Sequence, residues 1–188
     1  MNSVPRLSGA NGVGYNPADD YIYAIAGGEV FRVGVDGWVS LGAPSGSTTL
    51  RNTAGDFIDD DVLLTASGNS FSKVTISGDS VAVTGFTTSG KSWAPADFTV
   101  DADGTYAYGM SSDTLSRLTL GDSSATTSSV NIASSLDAGL AAAKADGTVS
   151  SGYSRNSGGG WGSAYSTSTG ELFFFRNETG SVGSEVWK

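Results

Sequence analysis

Residues 12–26 read Gly12-Val13-Gly14-Tyr15, then Asn16-Pro17-Ala18-Asp19-Asp20, then Tyr21-Ile22-Tyr23-Ala24-Ile25-Ala26. Small residues ending in an aromatic lead into a polar turn, and the turn opens into an apolar strand rich in β-branched and aromatic side chains. Gly27-Gly28 then supplies a hairpin turn, and Glu29-Val30-Phe31-Arg32-Val33-Gly34-Val35 alternates as a half-buried strand does. Asp36-Gly37 turns the chain again into Trp38-Val39-Ser40-Leu41. Four short strands in about 30 residues is the content of one blade of a β-propeller.

The unit returns along the chain. Ala54-Gly55-Asp56-Phe57 precedes the strand Val62-Leu63-Leu64-Thr65, Pro95-Ala96-Asp97-Phe98 precedes Thr105-Tyr106-Ala107-Tyr108, and Gly162-Ser163-Ala164-Tyr165 precedes Glu171-Leu172-Phe173-Phe174-Phe175. Tyr15, Phe57, Phe98 and Tyr165 thus recur at one equivalent position on the innermost strands, which assigns them to the core. Later strands of the units are expected at Asn69–Ser77 with Ser80–Thr84, and at Thr114–Leu120 with Thr127–Ile132. A weaker copy is read where Lys144-Ala145-Asp146-Gly147-Thr148 echoes Asp101-Ala102-Asp103-Gly104-Thr105, with a long loop over Ser154–Gly160 as the competing description.

The expected fold is therefore all-β: a small β-propeller of about four or five blades, one degenerate, built from antiparallel four-stranded repeats. The repeats fall at about 11–43, 51–87, 94–132, 138–153 (degenerate) and 160–188, within a single domain spanning 1–188. The last repeat has three strands, and the N-terminal segment Ser3-Val4-Pro5-Arg6-Leu7 is expected to supply the fourth and close the ring.

Composition narrows the function. The 188 residues carry 27 glycines, no cysteine, no histidine and a net charge of −9. Without cysteine there are no disulfides, thiolate nucleophiles or zinc–thiolate sites, and without histidine the usual general base near neutral pH is missing. No Gly-x-Ser-x-Gly elbow and no phosphate loop occurs, so neither a hydrolase nor a nucleotide site is expected, and no cofactor. The acidic field disfavours nucleic acid, and no apolar run suits membrane insertion. Residues 1–9 lack the pattern of a signal peptide.

The first repeat, Gly14 to Ile25 with Val30 to Gly37 after it, resembles a family of uncharacterised propeller-like domains in bacterial surface and secreted proteins, notably of actinobacteria. Ala54-Gly55-Asp56-Phe57 and Gly162-Ser163-Ala164-Tyr165 look like successive blades of that family. The resemblance implies the architecture and an extracellular setting, on a cell surface or, where a bacteriophage carries the domain, a virion. It brings no catalytic residues with it.

Three groups of residues compete for a functional role. Asp56, Asp59, Asp60, Asp61 and the pair Asp101, Asp103 offer calcium ligands, but lack a full calcium-loop pattern and suit turns better. Asp56 and Asp97 would approach a central channel, where a carboxylate pair could serve a glycosidase; hydrogen bonding to neighbouring backbone is the weightier reading. Trp93 and Trp161, in loops before inner strands, either fill gaps between blades or, with Lys91 and Arg155, meet a protein partner or glycan. The expectation is a non-catalytic interaction module, self-assembling or binding a protein on a cell or particle surface, with a lectin as the alternative and a glycosidase behind it.

Overall fold

The computed structural model describes residues 7–149, 151, 161–177 and 184–187. It is an all-β arrangement of repeated units with one helix. The first unit is a four-stranded antiparallel sheet of β1 (Asn11–Asn16), β2 (Tyr21–Ala26), β3 (Glu29–Gly34) and β4 (Gly37–Gly42), in sequence order. The second is β5 (Ala54–Asp59), β6 (Val62–Ser67), β7 (Ser70–Ser77) and β8 (Ser80–Gly90); the third is β9 (Thr99–Val100), β10 (Tyr106–Ser111), β11 (Thr114–Leu120) and β12 (Ser124–Asn131). The last holds β13 (Trp161–Ser166), β14 (Leu172–Asn177) and β15 (Ser184–Trp187).

The turns form where the polar residues lie. Between β1 and β2 the Asn16 side-chain oxygen accepts the Ala18 N–H at 2.9 Å, and Asp19 accepts the Tyr21 N–H at 3.2 Å and the Tyr23 hydroxyl at 2.6 Å. Such Asx contacts stand in for backbone partners that a tight turn leaves over. Asp101 does the same in the third unit, accepting the N–H groups of Thr105 at 2.8 Å and Tyr106 at 2.9 Å.

Units meet face to face, and three apolar clusters mark the seams. Tyr23, Ile25 and Val30 of the first unit pack against Leu63, Val74, Ile76, Val81 and Val83 of the second. Leu64, Ala66 and Phe71 pack against Trp93, Phe98, Val100, Ala107 and Leu118 toward the third. Met110 joins Leu136, Trp161 and Phe174 toward the last. Adjacent residues of one strand, Leu63 and Leu64, therefore serve opposite seams, as strand alternation requires. The innermost strands come so close that a Cβ at Gly55 would lie 2.6 Å from the Gly12 carbonyl oxygen, so this approach needs glycine.

The exits of the first two units also cross to the next unit. The linker after β4 touches β8 through a parallel bridge between Ser45 and Ala82. The end of β8 pairs in parallel with β12, from Thr87 opposite Ser124 to Gly90 opposite Thr127, and this joins the second and third units into one eight-stranded sheet.

Two expectations are corrected. The region assigned to a degenerate repeat, 138–153, holds in its first half the C-terminal part of a helix, α1 (Ala133–Ala145). Its alanines favour helix, the Asn131 carboxamide accepts the Ala133 N–H at its start, Leu136 is buried in the third seam, and Gly147 at φ +81 ends it. Gly147 thus terminates a helix where the echo suggested a β-turn. Tyr15 is not core: it is 52% exposed, with its hydroxyl on Asp20; in the third unit the register puts Val100, 3% exposed, at its place, and Phe98 lies two residues earlier. The proposed closing strand at 3–7 and the loop 154–160 lie outside the described residues, apart from Leu7, as does the Tyr165 side chain.

Candidate functional site

Polar side chains tie the innermost strands together. The Asn16 amide donates to the Asp60 carbonyl at 2.7 Å across the first seam. Across the second, Asp56 accepts the Val100 N–H at 2.8 Å and the Thr99 hydroxyl at 3.0 Å, while its other oxygen accepts the Phe57 N–H at 2.9 Å. Across the third, the Ser166 hydroxyl donates to the Val100 carbonyl.

Beside these seams lies a cleft of about 430 Å³ lined by Asn11, Val13, Thr53, Gly55, Ala96 and Asp97. Asp97 accepts the Phe98 N–H at 2.9 Å. Burial pushes its carboxyl up to about 6, the Phe98 N–H opposes this, and the charge of Asp56 adds to the rise. Burial also raises Asp56, against the three donors that favour its ionised form. The two carboxyls differ in role. Asp56 is held by three donors in a seam, whereas Asp97 lines the cleft wall with its carboxyl raised toward weak acid.

Of the other acidic residues, Asp59 and Asp101 serve turns. Asp59 accepts the Asp60 N–H at 2.8 Å, and Asp101 caps its own turn as above. Among the described residues no group of three or more carboxylates could hold a metal ion.

Of the four residues read as a contact patch, the structure describes Trp93, Trp161 and Lys91, and the two indoles are buried in different seams. Trp93 is 5% exposed and packs edge-on against Phe71 and Phe98, at centroid distances of 5.5 and 6.3 Å. Trp161 is 3% exposed, stands against Phe174, and donates its indole N–H to the Ser112 carbonyl at 2.8 Å. The gap-filling alternative describes both: a wide seam between twisted sheets takes a large ring, and neither indole offers a face to a ligand. Lys91 is exposed at the end of β8, and Arg155 lies outside the described residues.

A repeated feature went unread in the sequence. Phe31-Arg32-Val33, Ser72-Lys73-Val74 and Ser116-Arg117-Leu118 place a cation at one position of the third strand in three units. Arg32 lies over the Tyr21 ring at 5.1 Å, Lys73 over Phe86 at 5.8 Å and Arg117 over Tyr106 at 4.8 Å. Alignment on the Gly27-Gly28 and Gly68-Asn69 turns would have found it.

Eighteen solved chains are similar in fold. They include the major Malassezia sympodialis allergen Mala s 1 at 14% identity, TM-score 0.48, with 91% of this chain and 51% of that one covered. The extracellular domain of a hybrid two-component system from B. thetaiotaomicron matches at 12% identity, TM-score 0.46, over 98% and 22%. A functionally unknown protein from Desulfotomaculum acetoxidans matches at 12%, TM-score 0.47, over 95% and 55%. The chain thus spans from about a fifth to just over half of the length of these structures. No curated protein matches the sequence. Among sequence families one matches residues 8–184, and on that extent the chain belongs to the DUF6923 family, described as a repeat of unknown function.

Proposed function

We propose that the chain forms four blades of a β-propeller-type repeat and works as a non-catalytic interaction module on the surface of a bacterial cell or virion. The observation that carries this reading is the engagement of Asp56. In a chain without histidine or cysteine, the inner-strand carboxylate best placed for chemistry accepts three hydrogen bonds that join the second unit to the third. The innermost side chains are thus committed to holding blades together, and the functional surface is left to faces and loops. Propellers host many unrelated functions, so the fold alone does not choose among them.

A glycan remains the second ligand class, favoured by the cleft, where the Asn11, Thr53 and Asp97 side chains could meet sugar hydroxyls. The deciding experiment is fractionation of the source organism or its phage particles with quantitative proteomics. Recovery in stoichiometric amounts with an envelope or particle supports the surface module; recovery only as free soluble protein refutes it. A glycan array read with wild type and Asp97→Ala separates the two ligand classes.

A further inference from the structure

The seams between units can be compared at one place, the turn that joins the first two strands of each unit. In the first seam Asn16, 3% exposed, donates its side-chain amide to the Asp60 carbonyl in the next unit's turn at 2.7 Å. In the second, Gly104 lies so close to the Ile58 carbonyl oxygen that a Cβ would not fit between them. Both seams are shut at this level. The third is not: beside Ser166, whose hydroxyl donates to Val100, a pocket of about 320 Å³ opens between the turn 101–104 of the third unit and the turn 167–171 of the last.

A change of residue type goes with the difference. Asn16 stands opposite Tyr21 on β2, and Asp101 holds that register in the third unit, where its N–H donates to the Tyr106 carbonyl. A carboxylate has no N–H to give, so Asp101 cannot reach a carbonyl of the next turn as Asn16 does. One of its oxygens takes the Thr105 and Tyr106 amides. The other has no partner among the described residues, and neither has the exposed Asp103 carboxylate, which lines the same pocket. The floor is apolar: Tyr108 and Leu172 are half-buried, pack against the third seam's cluster and line the pocket, while Ser168 and Thr169 give the last unit's wall its hydroxyls.

We propose that this pocket binds a neutral sugar: a pyranose ring lies over Tyr108 and Leu172 and donates its hydroxyl hydrogens to Asp101 and Asp103. A sugar brings what the pocket lacks, several uncharged O–H donors on its edge, together with a C–H face that an aromatic and aliphatic floor can cover. An anion would be repelled by the two carboxylates, and a metal ion would make no use of the floor; among the described residues no group of three or more carboxylates could hold one. The volume lies at the small end of the range for ligand pockets, about 300–1,000 Å³, which suits a mono- or disaccharide. The site is separate from the cleft at Asp97, and it depends on the register of the repeats and not on where the chain is displayed.

Isothermal titration of the purified chain with the methyl glycosides of glucose, galactose, mannose and N-acetylglucosamine, in the presence of EDTA, tests this. At least one is expected to bind. Ala102→Phe, which sets a ring into the pocket from an exposed turn position, and Asp103→Ala, which removes an acceptor, should each weaken that binding by about tenfold or more while the melting temperature holds. Asp97→Ala should leave it intact. No binding of any of these sugars overturns the proposal. So does binding that is lost in Asp97→Ala but kept in Ala102→Phe and Asp103→Ala, which would seat the sugar in the other cleft and leave the glycan class standing. Binding that appears only when calcium replaces EDTA would give the carboxylates to an ion, and overturns it as well. Surface display is read separately by the fractionation described above, so the two can fail independently.

Discussion

Asp56 reaches across a seam to Val100: its carboxylate accepts that residue's amide hydrogen at 2.8 Å, joining the inner strand of the second unit to that of the third. The Thr99 hydroxyl and the Phe57 amide complete its shell. A buried carboxylate with three donors is held by partners that would themselves be stranded without it. Asp56→Ala should therefore lower stability by about 2 kcal/mol, the order expected when buried donors lose their acceptor. Asp56→Asn, which keeps one acceptor oxygen, should lose less. Urea unfolding with an unchanged denaturant slope measures both; equal stability of Asp56→Ala and wild type would contradict a structural role.

Gly55 supports a prediction from space alone. A methyl there would lie 2.6 Å from the Gly12 carbonyl oxygen and 2.7 Å from its carbon, and backbone cannot swing aside as a side chain can. Gly55→Ala is expected to destabilise the fold by about 1–3 kcal/mol, the range for overpacking. At Gly34 the same change meets the Tyr21 ring edge at 2.7 Å, a movable group at the surface. Gly34→Ala should thus be milder, and thermal melts of the pair give the order.

Trp93 fills the second seam between Phe71 and Phe98. Truncation to alanine should cost about 3–5 kcal/mol, the usual range for a buried large aromatic, and Trp93→Phe clearly less. If Trp93 instead acted as a ligand contact, Trp93→Ala would keep its melting temperature and lose only binding, an outcome that calorimetry and a binding assay separate.

Much of the strand pattern was legible because it rests on local chemistry. Gly27-Gly28 closes the hairpin between β2 and β3, β11 runs from Thr114 to Leu120 as its alternation requires, and Asp19 and Asp101 sit in turns that need side-chain acceptors. The helix was missed because Asp-Gly serves two purposes. Gly104 at φ +66 closes a turn between strands, Gly147 at φ +81 ends a helix, and the letters around them are alike. The alanines from 133 to 145 were the better signal. The parallel pairing of β8 with β12 joins residues far apart in sequence and leaves no local mark. For the candidate site, the position of the two indoles before strands left both gap-filling and contact open, because exposure is set by the neighbouring unit. Tyr15 shows the reverse: its letters match Phe57 and Phe98, yet among the described residues no unit packs over that side of the first sheet, and it is 52% exposed.

Asp97 gives the pH dependence. Its carboxyl is pushed up to about 6 by burial, with the Asp56 charge adding to the rise. Unfolded, it would titrate at about 3.9. Between these values the folded chain binds more protons than the unfolded one, so unfolding free energy from this group falls as pH rises. Acidification from pH 7 to about pH 4.5 should consequently stabilise the wild type relative to Asp97→Asn, which removes the ionisation while keeping an acceptor for the Phe98 N–H. Because Asp97 is only partly buried, solvent screening reduces the effect, and the difference between the two pH profiles is the quantity to read. Parallel profiles for wild type and variant across that window would show that the carboxyl titrates normally and that the cleft wall is open to water.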